Sequence, residues 1–482
     1  MTAPVGLHFD PEHGLFGDPK PIAWNGRYHV FFQNAPRPDQ FDAMRWAHVV
    51  SDDLLRWRRL PDALTPDAEG PDRCGCWTGS VVRHEGVFHA FYTGVAGPDG
   101  HGQSVCRAES DDLIHWRKDP GNPLVVPAAP FATGPDAAWR DPQVRPLPEG
   151  GFEMVLTADT AEGPRSLRGC VARLTSSDLR RWAVDGLLYH PGDVHRCECP
   201  DVVPMVSGYA LLYSSYGVAL RTSDTPRGPW RKPPNALLDD FRYYAAKTTS
   251  VDGRRLMFGF LFDRRSQDGA PGDGSPWTWG GVMAFPRELT LDGVGAPALR
   301  PVAELRALRQ DPVALGFDAN VAVTGAWSCG DDGVAGEARP GREELAVARM
   351  GRQPQQAEIE LRIRWAPDGT AGLLLQADAA LGQGYLVELD RARRDVGLRR
   401  LFPHANPASV VLQRMELPPD LDDEIGLRAF LDRTVLELFI DDRVAFSARL
   451  YQRPSEAWWG LATRGRLWTS LPEVWRLGMA PR

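Results

Sequence analysis

Three acids in the first half of the chain stand out by their neighbours. Asp18 lies in Gly17-Asp-Pro19, Asp141 in Arg140-Asp-Pro142 and Glu198 in Glu198-Cys-Pro-Asp201. They are 123 and 57 residues apart, so they come from different structural units. A proline directly after Asp18 and Asp141 biases each acid towards extended backbone. Glycosyl transfer needs a pair of carboxylates, one as nucleophile or base and one as acid. The acid keeps its proton near neutrality only with a raised pKa, from an ionised neighbour or an apolar pocket. One Asp-Pro among 63 Asp and Glu residues says little, but the set of three is far more specific.

The elements that must hold these acids are read from a repeat. Ser51-Asp-Asp-Leu-Leu-Arg-Trp57 recurs as Ser110-Asp-Asp-Leu-Ile-His-Trp116 and as Ser176-Ser-Asp-Leu-Arg-Arg-Trp182, with a degenerate copy at Thr222-Ser-Asp-Thr-Pro-Arg-Gly-Pro-Trp230. The Trp-to-Trp spacings of 59, 66 and 48 residues suit a repeat architecture. Between the copies lie short runs of β-forming residues, such as Arg27–Gln33, Gly86–Tyr92, Phe152–Thr157 and Tyr209–Tyr213, bounded by turn residues. Four short strands per repeat make a β-propeller blade. Four copies plus one blade without the motif close at five. Ser and Asp of the repeat read as caps on local amides, and Leu and Trp as packing between blades. Beyond a helix-like connector with apolar residues at 302, 305 and 308, further strands suggest a β-sandwich. Thr370–Gln376 reads as a strand buried on both faces. The fold expected is all-β: a five-bladed propeller over residues 1–300, a linker at 301–311 and a sandwich at 312–482.

Composition narrows the function. Net charge is −8, which argues against a nucleic-acid binder. No run approaches the 18 or more apolar residues of a membrane helix. The N-terminus lacks a basic-then-apolar leader, so the expected location is cytoplasmic, or secreted if a leader has been removed. Seven cysteines do not make a disulfide framework. Cys74-x-Cys76 and Cys197-x-Cys199 lack the Cys-x-x-Cys spacing of zinc sites and read as buried or pocket-lining thiols.

With these motifs the chain resembles glycoside hydrolase family 32, the invertases, fructan hydrolases and fructosyltransferases. The likeness runs through His8-Phe-x-Pro-x-x-Gly-x-x-x-Asp-Pro19, Tyr28–Gln33, Trp46–Ser51, Trp77-Thr-Gly-Ser80, Arg140–Pro142, Glu198–Asp201, Tyr243–Thr248, Trp279–Leu289 and Leu431–Phe439. The resemblance implies a retaining hydrolase that releases a terminal β-D-fructofuranosyl unit from sucrose, a fructo-oligosaccharide or a fructan through a covalent fructosyl–enzyme intermediate. Asp18 is then the nucleophile, Glu198 the acid/base and Asp141 the transition-state stabiliser. Arg140 keeps the carboxylates ionised. Gln33, Trp46, Trp77, Ser80, Arg140, Lys20 and Tyr244 are the expected substrate-binding residues. No metal or organic cofactor is expected. The partner is a small-molecule or oligosaccharide substrate, with no nucleic acid and no membrane.

One departure stands beside the nucleophile. The family opening is usually Asn-Asp-Pro-Asn-Gly, and here it is Gly17-Asp18-Pro19-Lys20-Pro21. Lys20 can pair with Asp18 and depress its pKa, or favour an anionic substrate. The alternatives are a fructosyltransferase, a furanosidase on an unusual substrate, an inverting five-bladed glycosidase, and a non-catalytic carbohydrate-binding relative. His195, Lys247, Trp277, Trp279, Asp239 and Asp240 are further candidates for the funnel wall, each with a packing role as its alternative.

Overall fold

A computed structural model describes the chain except residues 1–5, 36–41, 265–276, 317–321, 339–344, 402–409, 452 and 480–482. The chain divides into two compact units, one within His8–Pro297 and the other formed by Ala298–Arg482 with Leu7.

The first unit is a five-bladed β-propeller. Blade 1 runs Leu15–Trp24, Arg27–Ala35, Arg45–Ser51 and Arg58–Leu64. Blade 2 runs Gly75–His84, Val87–Val95, Gln103–Ser110 and Arg117–Lys118. Blade 3 runs Trp139–Pro146, Phe152–Asp159, Gly169–Ser176 and Ala183–Tyr189. Blade 4 has Glu198–Pro204, Tyr209–Ser214 and Val218–Ser223. In blade 5, Tyr243–Val251 pairs with Arg254–Arg264, which pairs in turn with Trp277–Met283 and Arg287–Leu291. The first strands of successive blades touch in a closed ring, the fifth returning to the first. A pairing of Phe16 with Gly281 also joins blade 1 to blade 5.

Local sequence explains the blades. Asn25-Gly26, Glu85-Gly86 and Asp252-Gly253 have positive φ at both residues and turn the first strand of blades 1, 2 and 5 into the second. Such a turn matches the twist of paired strands. The second strands Val87–Val95 and Phe152–Asp159 are buried almost throughout, because each is covered by a blade on either side. They therefore read as continuous apolar runs rather than alternating ones.

The repeat does what its composition suggests. Asp53 Oδ1 accepts from the amides of Leu55 and Arg56 at 2.9 and 2.7 Å. Asp112 takes Ile114 and His115, and Asp178 takes Arg180 and Arg181, all at 2.8 Å. Leu54, Leu113 and Leu179 are buried at positive φ. Trp116 meets Phe31 of blade 1 edge-on, Trp182 meets Phe91 of blade 2, and Trp57 meets Phe258 of blade 5. Each tryptophan thus ties its blade to the one before it.

The second unit is a sandwich of two antiparallel sheets. One follows the path 326–330, 333–337, 466–469, 356–365, 424–432, 435–440 and 444–449. The other runs 322–324, 346–352, 458–464, 370–377, 385–390, 395–400 and 410–416. Their inner faces share a core that includes Ile359, Leu373, Val387, Leu427 and Trp459. Thr370–Ala377 is buried at every position. The connector Ala303–Leu308 is a 3₁₀ helix with Val302, Leu305 and Leu308 buried, and it belongs to this second unit.

Candidate active site

The innermost strand of every blade carries an irregularity in register. The bulges fall between Gly17 and Lys20, Trp77 and Gly79, Arg140 and Gln143, Glu198 and Asp201, and Tyr244 and Lys247. Each places one extra residue on the inner strand, which re-aims the side chains around it. Asp18, Asp141, Cys199 and Ala245 sit in these bulges with φ of 39°, 60°, 52° and 50°. The extended backbone expected at Asp18 and Asp141 is therefore not found. Proline excludes the right-handed helical region for the preceding residue, and here the bulge selects the left-handed side. Positive φ at a non-glycine residue is a local cost that surrounding structure must sustain.

The bulges bring the three acids to one cavity of about 760 Å³. Asp18, Asp141 and Glu198 all line it, with Gln33, Trp77, Arg140 and Tyr244. Asp18 Oδ2 accepts from Thr78 Oγ1 at 2.6 Å, and Thr78 accepts from Gln33 Nε2 at 2.7 Å. Asp141 Oδ2 accepts from the amide of Cys199 at 3.0 Å and the hydroxyl of Thr157 at 3.1 Å. The amide of Asp141 donates to Thr93 Oγ1 at 2.8 Å. Glu198 is held from two sides: Arg140 Nη2 donates to Oε1 at 2.5 Å and the Tyr244 hydroxyl to Oε2 at 2.6 Å. Cys199 joins two of the acids, its thiol donating to Asp18 Oδ2 at 3.7 Å while its amide donates to Asp141.

Three expected binding residues stand elsewhere. Trp46 is fully buried, and its indole N–H donates to the carbonyl of Trp77 at 2.7 Å, so it supports the wall instead of forming it. The Ser80 hydroxyl accepts the amide of Val144 at 2.9 Å and stitches blade 2 to blade 3. Lys20 is 2% exposed; its ammonium donates to the Asp18 carbonyl at 2.7 Å and lies 4.8 Å from the Trp46 ring centroid. A buried lysine with these partners props the bulge at Asp18 and does not reach out to an anionic substrate.

The other candidates separate as well. His195 and Trp279 line the cavity. Lys247 is buried, with its ammonium on the carbonyl of Pro200 at 3.0 Å. Asp239 and Asp240 are buried under the wall, where they pair with Arg287 and Arg242, both at 2.7 Å. The side chain of Trp277 lies outside the described residues. All seven cysteines are free thiols, and of the two Cys-x-Cys pairs only Cys199 reaches the cavity. Tyr216, Phe241, Phe262 and Arg196 also line the cavity, and sequence reasoning missed them. The available signal was a large aromatic in the turn just before the innermost strand of blade 5.

The space beside Gly17 explains the altered opening. A Cβ placed there would fall 2.4 Å from the ring of Trp279. The indole thus lies where a side chain at position 17 would begin.

Burial dominates the electrostatics. It pushes Asp18 up, and the Lys20 charge opposes this without reversing it. Lys20 thus depresses Asp18 as expected, but burial outweighs it and the net shift is upward. Burial pushes Lys20 down in turn. Asp141 is also raised by burial, with Arg140 pulling the other way. Glu198 differs: burial alone would raise it, but Arg140 and the Tyr244 hydroxyl outweigh that and hold it below the usual range. Arg140 therefore keeps one of the two carboxyls ionised, and that one is Glu198.

Comparisons with known proteins place this geometry in context. Residues 8–300 match the glycosyl hydrolases family 32 N-terminal domain, and residues 337–465 match the family 32 C-terminal domain. The sucrose-6-phosphate hydrolase of Escherichia coli is 27% identical, with 98% of this chain and 94% of that protein covered. The raffinose invertase of Escherichia coli is 28% identical over 92% of this chain and 89% of that protein. Among solved structures, fructan 1-exohydrolase IIa from Cichorium intybus superposes with a TM-score of 0.74 at 21% identity, covering 98% of this chain and 97% of that one.

Proposed function

Since the chain belongs to glycoside hydrolase family 32, we propose that it releases a terminal β-D-fructofuranosyl unit from a sucrose-type or fructan-type substrate with retention of configuration. The observation that carries this is the convergence of Asp18, Asp141 and Glu198, from blades 1, 3 and 4, on one cavity.

In the first half-reaction an Asp18 carboxylate oxygen bonds to the anomeric carbon. The bond from that carbon to the leaving-group oxygen breaks, and its electron pair stays on the oxygen. Glu198 gives its proton to that oxygen. In the second half, Glu198 takes a proton from water, the water oxygen bonds to the anomeric carbon and Asp18 departs. Thr78 orients Asp18 through its 2.6 Å hydrogen bond, which leaves Oδ1 as the attacking atom. Asp141 spends Oδ2 on Cys199 and Thr157, so Oδ1 is the oxygen for a sugar hydroxyl. Charge that develops on the sugar is met by carboxylates already fixed in place, so little reorganisation accompanies the reaction.

Fructose release from sucrose, sucrose 6-phosphate, raffinose, inulin and levan tests this reading, with Asp18→Asn and Glu198→Gln as controls. Equal behaviour of wild type and both variants on every substrate would overturn it.

A further inference from the structure

An exposed aromatic pair at the cavity mouth has no part in the chemistry above. Tyr216 is 78% exposed and Phe241 45% exposed, and both line the cavity. Exposed aromatic side chains gathered at the rim of one cavity mark a binding surface. Tyr216 lies between Tyr209–Ser214 and Val218–Ser223 of blade 4. Phe241 lies two residues before the innermost strand of blade 5, which begins at Tyr243. The two segments abut: a Cβ on Gly217 would lie 3.3 Å from the Phe241 Cα.

The Phe241 ring is also held in place. The Arg242 guanidinium sits 4.2 Å from its centroid and receives its own fixation from buried Asp240 at 2.7 Å. One face of the ring is thus backed by a cation while nearly half of the residue remains open to the cavity. This is how a stacking platform is prepared in advance.

Position says which part of the substrate it meets. The leaving-group oxygen takes its proton from Glu198, so the leaving group lies on the Glu198 side. The Tyr244 hydroxyl is 2.6 Å from Glu198 and 3.2 Å from the carbonyl of Ser215, the residue before Tyr216. Asp18 is engaged by Thr78 of blade 2, which Gln33 of blade 1 holds in turn, on another side of the ring of blades.

We infer that Tyr216 and Phe241 form the leaving-group subsite, a stacking platform for the C–H face of a sugar ring beyond the scissile bond. They set the choice among β-fructofuranosides by what is attached to the fructosyl unit. This rests on the fructosyl-releasing reading and deepens it.

The test compares raffinose, whose leaving group is a disaccharide, with β-D-fructofuranosyl fluoride, whose leaving group is too small to stack. In Tyr216→Ala/Phe241→Ala the ratio of kcat/KM for raffinose to that for the fluoride falls about tenfold, equivalent to ~1.4 kcal/mol. In the single-site comparison, Phe241→Tyr keeps the wild-type ratio and Phe241→Leu does not, which separates stacking from mere apolar bulk. An unchanged ratio, or an equal loss on both substrates, overturns the inference. If wild type releases fructose from neither compound, the fructosyl reading fails. Calorimetric binding of raffinose then decides the platform separately, with about tenfold weaker binding in the double variant supporting it and equal binding overturning it.

Discussion

The hydroxyl of Tyr244 donates to Glu198 Oε2 at 2.6 Å, opposite the guanidinium of Arg140 on Oε1. Both partners favour the ionised carboxylate, yet the proposed role of Glu198 begins with a proton. Asp18, whose proposed role as attacking group needs it ionised, is the carboxyl that burial raises. The sugar-free site therefore holds its shared proton in the reverse of the reactive arrangement, and the two groups titrate as a pair.

That pairing fixes a pH profile. The reactive form carries one proton between Asp18 and Glu198. It drains away as pH rises through the upper value, which burial of Asp18 places at about 6. On fructoside substrates, kcat/KM should fall above about pH 6 by nearly tenfold per pH unit, with an acidic limb where both carboxyls become protonated. A profile level to pH 8 would contradict this.

Tyr244→Phe deletes one of the two donors that hold Glu198 low. The lower value of the pair rises, and the acidic limb of kcat/KM moves to higher pH. Since the phenyl ring remains against Phe262, whose centroid lies 5.3 Å from that of Tyr244, stability should change by under about 1.5 kcal/mol. An acidic limb that stays put would show that this hydrogen bond does not tune the acid.

Asp18→Asn removes the proposed attacking carboxylate, and Glu198→Gln removes the proposed proton donor. Each should lower fructose release by at least about 10³-fold, and the double variant should be far from additive, because the two act as a unit. Rapid NMR of the first-formed fructose reads the stereochemistry. Initial release of the α-anomer would refute retention.

Gly17→Ala places a Cβ 2.4 Å from the Trp279 ring. The expected loss is about 1–3 kcal/mol of stability together with reduced kcat/KM, because the displaced indole lines the cavity together with Asp18. Thermal melting and kinetics on one preparation check this. An alanine variant as stable as wild type would mean that the ring moves without penalty.

His29 and His48 form a buried pair in blade 1, with Nδ1 of one 3.0 Å from Nε2 of the other. Burial lowers His29 to about 4 and His48 to about 3. Unfolded histidines titrate near 6.5, so the unfolded chain binds more protons between these limits. The stabilisation is complete above about pH 6.5 and is lost as pH falls towards 4, by up to about 1.4 kcal/mol per pH unit for each ring. Denaturant midpoints for wild type and His48→Gln should converge as pH falls across this window. Parallel curves would exclude the pair as the cause.

The chain spelled out much of the propeller because its repeat is a local device. Ser51, Asp53 and Leu54 make their turn among themselves, and the same letters return at Ser110 and Ser176. The three acids were legible for a similar reason, each standing in a short motif next to a proline. The bulges were not. One extra residue on a strand leaves no periodic trace, and so the φ of Asp18 and Asp141 was misjudged. Trp46 and Lys20 were placed on the wall because they neighbour the motifs in sequence, while the pleat turns them behind it. Tyr216 and Phe241 escaped notice because a turn residue is exposed in any fold, and only the closing of the ring shows which turns meet at its mouth.

The acids reach one another only because five blades complete the circle. Asp18, Asp141 and Glu198 come from blades 1, 3 and 4, and no two of them share a sheet. Their separation is therefore set by the angle between blades, not by any hairpin. The same blades in a circle of six would stand at a smaller angle to one another around a wider central opening, which would spread the carboxyls. A retaining pair stands roughly 5–5.5 Å apart and an inverting pair about 6.5–9.5 Å apart. The packing between blades thus acts here as a stereochemical variable, since a shift of one blade against another moves one carboxyl relative to the other.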